Sequence, residues 1–306
     1  SGKIVTQAQY VGREFRNYFE DVGCDHALDP YDLYVPLMLL AFHSQGAPAW
    51  INKVINRTQG HHITTRKPEP GLIGKNWLNL IKAKKQDQGI MPLAVVIDEV
   101  VLINPEASFE IPKECMIMQL EPPEIQPRWE GSEFNKAKGD LENHAVDIIG
   151  MDEIGIDGHI LISSDNQFFI NRCLLEMSHR NQQEKIVVLT NTPIVDEMPG
   201  NLDIEWIEGD SNSEKSFKQA RSTEAKVALI DHSDDGQNLM SVLRLEEATD
   251  GEVFTIATYH KEDFDQQLFK VGCDFCLDPE EMIAPILSQS ALNPGLGTLI
   301  EEIILE

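Results

Sequence analysis

Positive charge is scarce in this chain. Of its 306 residues, 25 are Lys or Arg against 51 Asp or Glu, a formal charge of −26. A nucleic-acid surface needs clustered cations to replace the counterions on phosphate, and an anionic leaflet attracts polybasic segments, so both are excluded as partners. Long apolar runs are missing too: none approaches the roughly 18 residues of a membrane span, and no basic-then-apolar leader opens the sequence. Cysteine is sparse and odd in number, five in all, which predicts reduced thiols rather than a disulfide framework and an intracellular setting. No GxSxG, HExxH or Walker sequence occurs, and the lone Cys and His residues suggest no nucleophile–base pair, so no enzyme is expected. The rest is ordinary. With 42% hydrophobic and 25% charged residues the chain is neither disordered nor fibrous, and at about 100–200 residues per domain it holds two or three.

The clearest pattern lies in the second half. Gly158 to Ser163, Ile186 to Leu189, Asp203 to Ile207, Lys226 to Ile230 and Val253 to Ala257 read as short apolar strands. Between them run helical stripes at Asn166 to Met177, Ser213 to Arg221 and Gly236 to Ala248. Apolar strands alternating with amphipathic helices predict βαβ units, hence an α/β fold with a Rossmann-like parallel sheet and helices on both faces. Between Arg57 and Gln126 the pattern is different. Leu93 to Ile97 and Val100 to Ile103 read as a hairpin, Asn104-Pro105 as a turn, and Cys115 to Leu120 as a further strand. These make a small α+β module with local pairing rather than crossovers. From Glu121-Pro122-Pro123 to about Gly139 the chain is Pro-rich and polar, a linker, with a short helix expected within Asp140 to Ile149.

The sequence also repeats itself. Val22-Gly23-Cys24-Asp25 returns as Val271-Gly272-Cys273-Asp274, and Leu28-Asp29-Pro30 as Leu277-Asp278-Pro279. The same ungapped offset aligns Thr6 with Thr255, Ala8 with Ala257, Tyr10 with Tyr259, Phe15 with Phe264, Pro36 with Pro285 and Gly46 with Gly295. Residues 3–57 are therefore expected to share the fold of residues 252–306: strand, helix, short strand ending at Asp-Pro, then helices. That is the tail of a Rossmann-like domain, with its first half supplied by a preceding segment or another chain.

Gly209-Asp210, Ala225 to Ile230 followed by Asp234-Asp235, and Gly272-Cys273-Asp274 with Leu277-Asp278-Pro279 resemble an RCK (regulator of potassium conductance) N-lobe. Gly71-Leu72-Ile73-Gly74, Leu102 to Glu106 and Ile111-Pro112 to Leu120 resemble the small α+β RCK C-lobe. The resemblance implies residues 1–57 as the C-terminal part of a first RCK N-lobe, 58–121 as an RCK C-lobe, 122–157 as a linker and 158–306 as a second N-lobe. It further implies a cytoplasmic gating module of a potassium channel or transporter at the membrane. Such a module works as a homo-oligomer, RCK dimers within a tetrameric or larger ring, beneath a transmembrane pore domain. The helices after the last N-lobe strand, Tyr31 to Phe42 with Ala49 to Asn56 and Pro279 to Leu287 with Leu296 to Ile304, would cross to a partner. The alternative reading of the same scaffold is an NAD(P)-dependent oxidoreductase or another nucleotide-binding enzyme.

Two sets of residues are candidate ligand sites. A dinucleotide turn needs glycines for close approach to pyrophosphate, then an acidic residue near the ribose. Here the turn is Ser163-Ser164-Asp165-Asn166-Gln167, without glycine, and Thr190-Asn191 follows the second strand. Ser164, Asp165 and Asn191 thus mark a degenerate nucleotide site. Hard cations want clustered carboxylates; Asp231, Asp234 and Asp235 follow the fourth strand, and Asp210 is expected near the same sheet edge. The candidate ligands are accordingly a divalent cation (Ca2+ or Mg2+) and a nucleotide. Cys273-Asp-Phe-Cys276 has CxxC spacing but no second pair, which falls short of a structural zinc site.

Overall fold

The structure, a computed structural model, describes residues 6–12, 14–24, 26–43, 62–97, 100–122, 158–180, 182–192, 199–261, 264–293, 295–297 and 299–300. In chain order they form β1 (Gln7–Gln9), α1 (Glu14–Asp21), β2 (His26–Leu28), α2 (Pro30–His43), β3 (His62–Arg66), α3 (Trp77–Gln88), β4 (Met91–Ile97), β5 (Val100–Ile103) and β6 (Met116–Glu121). There follow β7 (His159–Ser164), α4 (Gln167–His179), β8 (Ile186–Thr190), β9 (Ile204–Glu208), α5 (Glu214–Gln219), β10 (Ala225–Asp231), α6 (Asp235–Thr249), β11 (Phe254–Thr258), α7 (Phe264–Lys270), β12 (Phe275–Leu277) and α8 (Pro279–Leu292). The contacts divide the chain into two units, Ser1–Gln45 with Met151–Ile283, and Gly46–Gly150 with Ala284–Glu306. The linker with its expected helix, and the segment Ala49 to Asn56, lie outside the described residues.

The first unit is built on a six-stranded sheet in the order β12-β11-β10-β7-β8-β9, every pair parallel. All residues of β7, β8 and β10 are buried. That is why their centres, Ile160 to Ile162, Ile186 to Leu189 and Val227 to Ile230, are continuous apolar runs: a parallel strand between two helical layers has no polar face to show. Leu161, Val187, Leu189, Ala228, Ile230 and Phe217 meet Val242 and Leu245 of α6 in one core. From β7 the chain steps outward to β8 and β9, then returns to β10 on the other side of β7. The order thus reverses between β7 and β10, where an open α/β sheet leaves a crevice at its carboxyl ends.

Over the described residues of the two copies, β1 to α2 and β11 to α8, the repeat is borne out. β1 pairs with β2 through Gln7↔His26, Ala8↔Ala27 and Gln9↔Leu28, and β11 pairs with β12 through Ile256↔Phe275, Ala257↔Cys276 and Thr258↔Leu277. The two registers are the same register at the sequence offset. Equivalent bonds repeat as well: Tyr10 N–H to Leu28 O and Tyr259 N–H to Leu277 O, both 3.0 Å, and Cys24 and Cys273 thiols to Thr6 and Thr255 carbonyls at 3.6 and 3.5 Å. Asp29 Oδ1 accepts from Tyr31 N–H at 3.0 Å, and Asp278 Oδ1 from Glu280 N–H at 2.8 Å, so each Asp-Pro starts a helix by the same turn. Both helices run through a proline, Pro36 and Pro285.

The copies differ in what covers them. β11 lies between β10 and β12, whereas β1 has only β2 among the described strands. Leu268 of α7 is fully buried; Phe15 and Tyr18 of α1 are 49% and 63% exposed. Gly23 and Gly272 hold the same turn at φ +83° and +109°, a region an L side chain reaches only with strain. A Cβ on Gly23 meets open space, while one on Gly272 would lie 2.8 Å from Glu246 Cγ. Gly272→Ala is therefore expected to cost about 2–3 kcal/mol and Gly23→Ala about 1 kcal/mol. Urea melts of the two variants check this, and equal losses would contradict it.

The second unit is a four-stranded antiparallel sheet in the order β3-β6-β4-β5. The hairpin strands β4 and β5 stand as the sequence suggests, and Asn104 takes the left-handed conformation (φ +40°) that Asn tolerates at the turn. One face of the sheet packs on α3 through Trp77, Leu80, Val95, Ile111 and Ile117. Toward its other face, a Cβ on Gly295 would come within 3.0–3.5 Å of Val101, Val96 and Met118, and Asn293 Oδ1 accepts from Thr65 N–H at 3.0 Å. Sequence reasoning missed α3. Its signals are present: the Asn76 side chain caps the N-terminus, and Gly89 follows the last turn at φ +67°.

Candidate functional site

The carboxyl ends of β7, β10 and β11 converge where the strand order reverses, and the chain's own side chains fill the crevice there. Asp165 Oδ1 and Oδ2 accept from Ser233 N–H and Oγ–H, each at 3.0 Å. Ser164 Oγ donates to Asp231 O. From the end of β8, Thr192 Oγ1 donates to Asp165 O at 2.9 Å.

His232 lies beneath this lattice, 2% exposed. Its Nδ1 accepts from Asp165 N–H at 3.2 Å, so Nε2 carries the proton and faces Ser241 Oγ at 3.0 Å. Ser241 in turn donates to Ser211 O at 3.3 Å. Burial lowers the His232 pKa, with Asp165 and Asp210 partly opposing it, consistent with a neutral ring.

The turn from β7 into α4 would receive a pyrophosphate in a dinucleotide-binding sheet. Here four of its N–H groups already have side-chain acceptors. Asp165 N–H goes to His232 Nδ1 and Asn166 N–H to Ser164 Oγ (2.9 Å), while Phe168 and Phe169 N–H go to Asn166 Oδ1 at 3.1 and 3.4 Å. Asn166 caps the helix and occupies the anion position in one step.

Asn166 also faces the opposite way. Its Nδ2 donates to Asp231 Oδ2 at 3.1 Å and to Tyr31 Oη at 2.7 Å, and Asp231 Oδ1 accepts from Thr258 Oγ1 at 2.5 Å. A continuous polar chain thus joins β11, β10, the β7–α4 turn and α2. Burial pushes the Asp231 carboxyl up to about 6, against the pull of Thr258, His260 and Asn166. Around the chain, Tyr34 stacks on Phe169 (centroids 6.1 Å apart, 9° between planes) and Tyr31 lies 6.3 Å from Phe168. Arg172 Nη1 lies 3.1 Å from Asp32 Oδ1. These contacts hold α2 against α4.

Of the residues singled out from sequence, the structure brings Ser164, Asp165 and Asp231 together. Asn191 is exposed at the end of β8 and, among the described residues, is linked to them through its neighbour Thr192. The four aspartates do not converge. Asp210 is exposed and accepts from Asn212 N–H at 2.8 Å; Asp234 caps α6 through Gly236 and Gln237 N–H at 2.9 and 3.3 Å. Asp235 is buried and accepts from His260 N–H at 2.8 Å, with Oδ2 unpartnered. Among the described residues no group of three or more His, Cys, Asp or Glu is arranged to hold a metal ion. Sequence reasoning did not assign Tyr31, His232 or Thr258 to the site. Asn166 had a local signal, an Asn just ahead of a helical stripe, whereas nothing near Tyr31 in sequence points to a partner 135 residues away.

Residues 171–279 match the family model of the TrkA-N domain. The human SLO3 gating ring is similar over 98% of this chain and 67% of that one, with a TM-score of 0.66 and 9% identity. The GsuK RCK domain is similar over 94% of this chain and 56% of its own, and the GsuK channel bound to NAD over 94% and 47%, each with a TM-score of 0.45 and 12% identity. The chain spans about half to two thirds of the length of these solved chains. No curated protein matches the sequence. The chain shares the fold of that gating ring, with a Rossmann-like six-stranded parallel sheet, and the TrkA-N match lies within its second half.

Proposed function

We propose that this RCK-fold chain is the ligand-sensing part of a gating ring, coupling ligand binding at the β7–β10 edge to the opening of a potassium-channel pore. In this reading residues 1–57 complete a first N-lobe, 58–121 form a C-lobe, 122–157 link and 158–306 form a second N-lobe. The assembly is a homo-oligomer on the cytoplasmic side of the membrane. Among the described residues no helix is long and apolar enough to cross a membrane.

The observation that carries the reading is the chain Thr258–Asp231–Asn166–Tyr31. It ties the edge where α/β sheets bind ligands to α2, the helix that follows the repeated Asp-Pro turn. A ligand that moves Asn166 or Asp231 has a direct mechanical route to α2, and differential binding to two positions of that helix is what a switch requires. A nucleotide entering here has to displace Asn166 Oδ1 from two helix N–H groups; a divalent cation has to draw Asp165 from Ser233. The glycine-free turn at 163–167 makes hydride transfer from a nicotinamide cofactor a poorer reading, since the backbone there gives a pyrophosphate no close approach.

Light scattering on the full chain, with and without Ca2+, Mg2+, NAD and ADP, tests the proposal. A dimer or larger assembly is expected, with at least one ligand changing its mass or its melting temperature. A monomer indifferent to all four would sink it.

A further inference from the structure

A second concavity lies in the four-stranded unit. Ile117, Gln119 and Glu121 occupy alternate positions of β6 and share one face of the sheet. Leu80 and Lys84, four residues apart, share one face of α3. Together with Leu72 and the stretch Arg66–Glu69 they line a cavity of about 330 Å3, at the small end of the range for ligand pockets.

The cavity is graded from apolar to charged. Leu72, Leu80 and Ile117 are at most 7% exposed and form its apolar wall. The two carboxylates of the lining are already committed. Glu121 accepts from Thr64 Oγ1 and Gln119 Nε2, both at 2.7 Å, and from Arg66 Nε and Nη2 at 2.8 and 2.9 Å. Burial raises its carboxyl, and these donors more than offset that, leaving it below the usual carboxylate range. Glu69 Oε1 holds Lys84 Nζ at 2.6 Å. Lys67 is exposed and has no partner among the described residues. Arg66, Lys67 and Lys84 therefore face two carboxylates, a local excess of positive charge in a chain of net −26.

From this geometry we propose that the cavity binds a small organic anion, with a single-ring or short apolar body against Leu72, Leu80 and Ile117 and one carboxylate or phosphate at Lys67. A neutral ligand forgoes the charge-assisted bond to Lys67, and a cationic one is repelled by the excess. The inference concerns binding alone and goes beyond the gating reading: it is measured on the full chain without a pore, so either can fail without the other.

The test is methyl NMR of the full chain titrated with 3-phenylpropionate and with phenyl phosphate, beside the neutral 3-phenylpropanol and the cationic 3-phenylpropylamine. Saturable shifts at the Leu72, Leu80 and Ile117 methyls are expected from at least one anion, with the alcohol about tenfold weaker and the amine silent. The stronger anion identifies the head group. Lys67→Glu should weaken that anion about tenfold while the spectrum stays folded, and Lys113→Glu, on the exposed strand connection, should not. The proposal is overturned if neither anion shifts those methyls saturably, if the amine or alcohol binds as well, or if Lys67→Glu binds like the parent chain.

Discussion

Replacing Asp231 by Asn is expected to flatten the dependence of stability on pH and to leave the variant the more stable protein at pH 8. Asp231 is 2% exposed, and burial lifts its carboxyl from 3.8 to about 6. The folded chain therefore holds this proton more tightly than the unfolded chain does. Its contribution to stability is fully present below about pH 4 and is lost as pH rises through about 6. At about 1.36 kcal/mol per unit, the loss amounts to about 3 kcal/mol. Asn keeps the shape and cannot ionise; its amide donates to Thr258 Oγ1 and its carbonyl accepts from Asn166. Asp165 and His260 are the other charged groups felt by this carboxyl, and neither is altered. Glu246 adds a slope of the same sign, since burial lifts it to about 7, so a residual dependence remains in Asp231→Asn. Thermal melts from pH 4 to 8 decide the matter. Parallel curves for the variant and the parent chain would mean that Asp231 keeps its charge throughout.

How much of this could be read from sequence depends on whether the cause was local. The strands β7, β8 and β10 were legible because burial on both faces keeps their centres apolar. The three-residue strands β1, β2 and β12 are too short for any periodicity; the repeat alone exposed them, since identical residues at one offset require identical pairing. α3 was passed over because its apolar stripe is thin, Trp77, Leu80 and Ile81 among Lys, Gln and Asp, and its evidence sits in the caps. The site divides in the same way. Ser164 and Asp165, read as a nucleotide turn, and Asp231, read with the aspartates after β10, meet because turns at the carboxyl ends of adjacent strands must meet. The acidic group at 231–235 suggested cation ligands because its members follow one strand at the carboxyl edge of the sheet. Asp231 ends a strand and points inward, Asp234 is spent on a cap, and Asp235, one residue on, turns about 100° further around the helix. Adjacency in sequence scatters carboxylates at a helix start rather than gathering them. Tyr31 was illegible for the opposite reason: its partner is distant in sequence, and only tertiary packing brings them together.

The sharpest consequence of that packing is expected for Tyr34→Ala. Tyr34 is 3% exposed and its ring lies flat on Phe169, which is fully buried in α4. Removing a buried aromatic ring costs about 3–5 kcal/mol through lost transfer and the cavity left behind. Here the loss should fall on one element. β7, β8 and β10 keep their ladders and the core of Leu161, Val187 and Ala228, to which Tyr34 does not belong, whereas α2 is held to α4 by this stack, by the Tyr31 contacts and by Asp32 against Arg172. Hydrogen exchange should accordingly quicken across Pro30–His43 while the amides of β7 and β10 stay protected. Such a variant separates the edge from its lever: it retains the crevice and loses the helix that would report on it. A ligand found by the mass and melting experiments should then still bind, and its effect on assembly should disappear. If exchange instead rises equally in α2 and in the sheet, the two form a single cooperative unit, and a relay through Asn166 and Tyr31 has nothing separate to move.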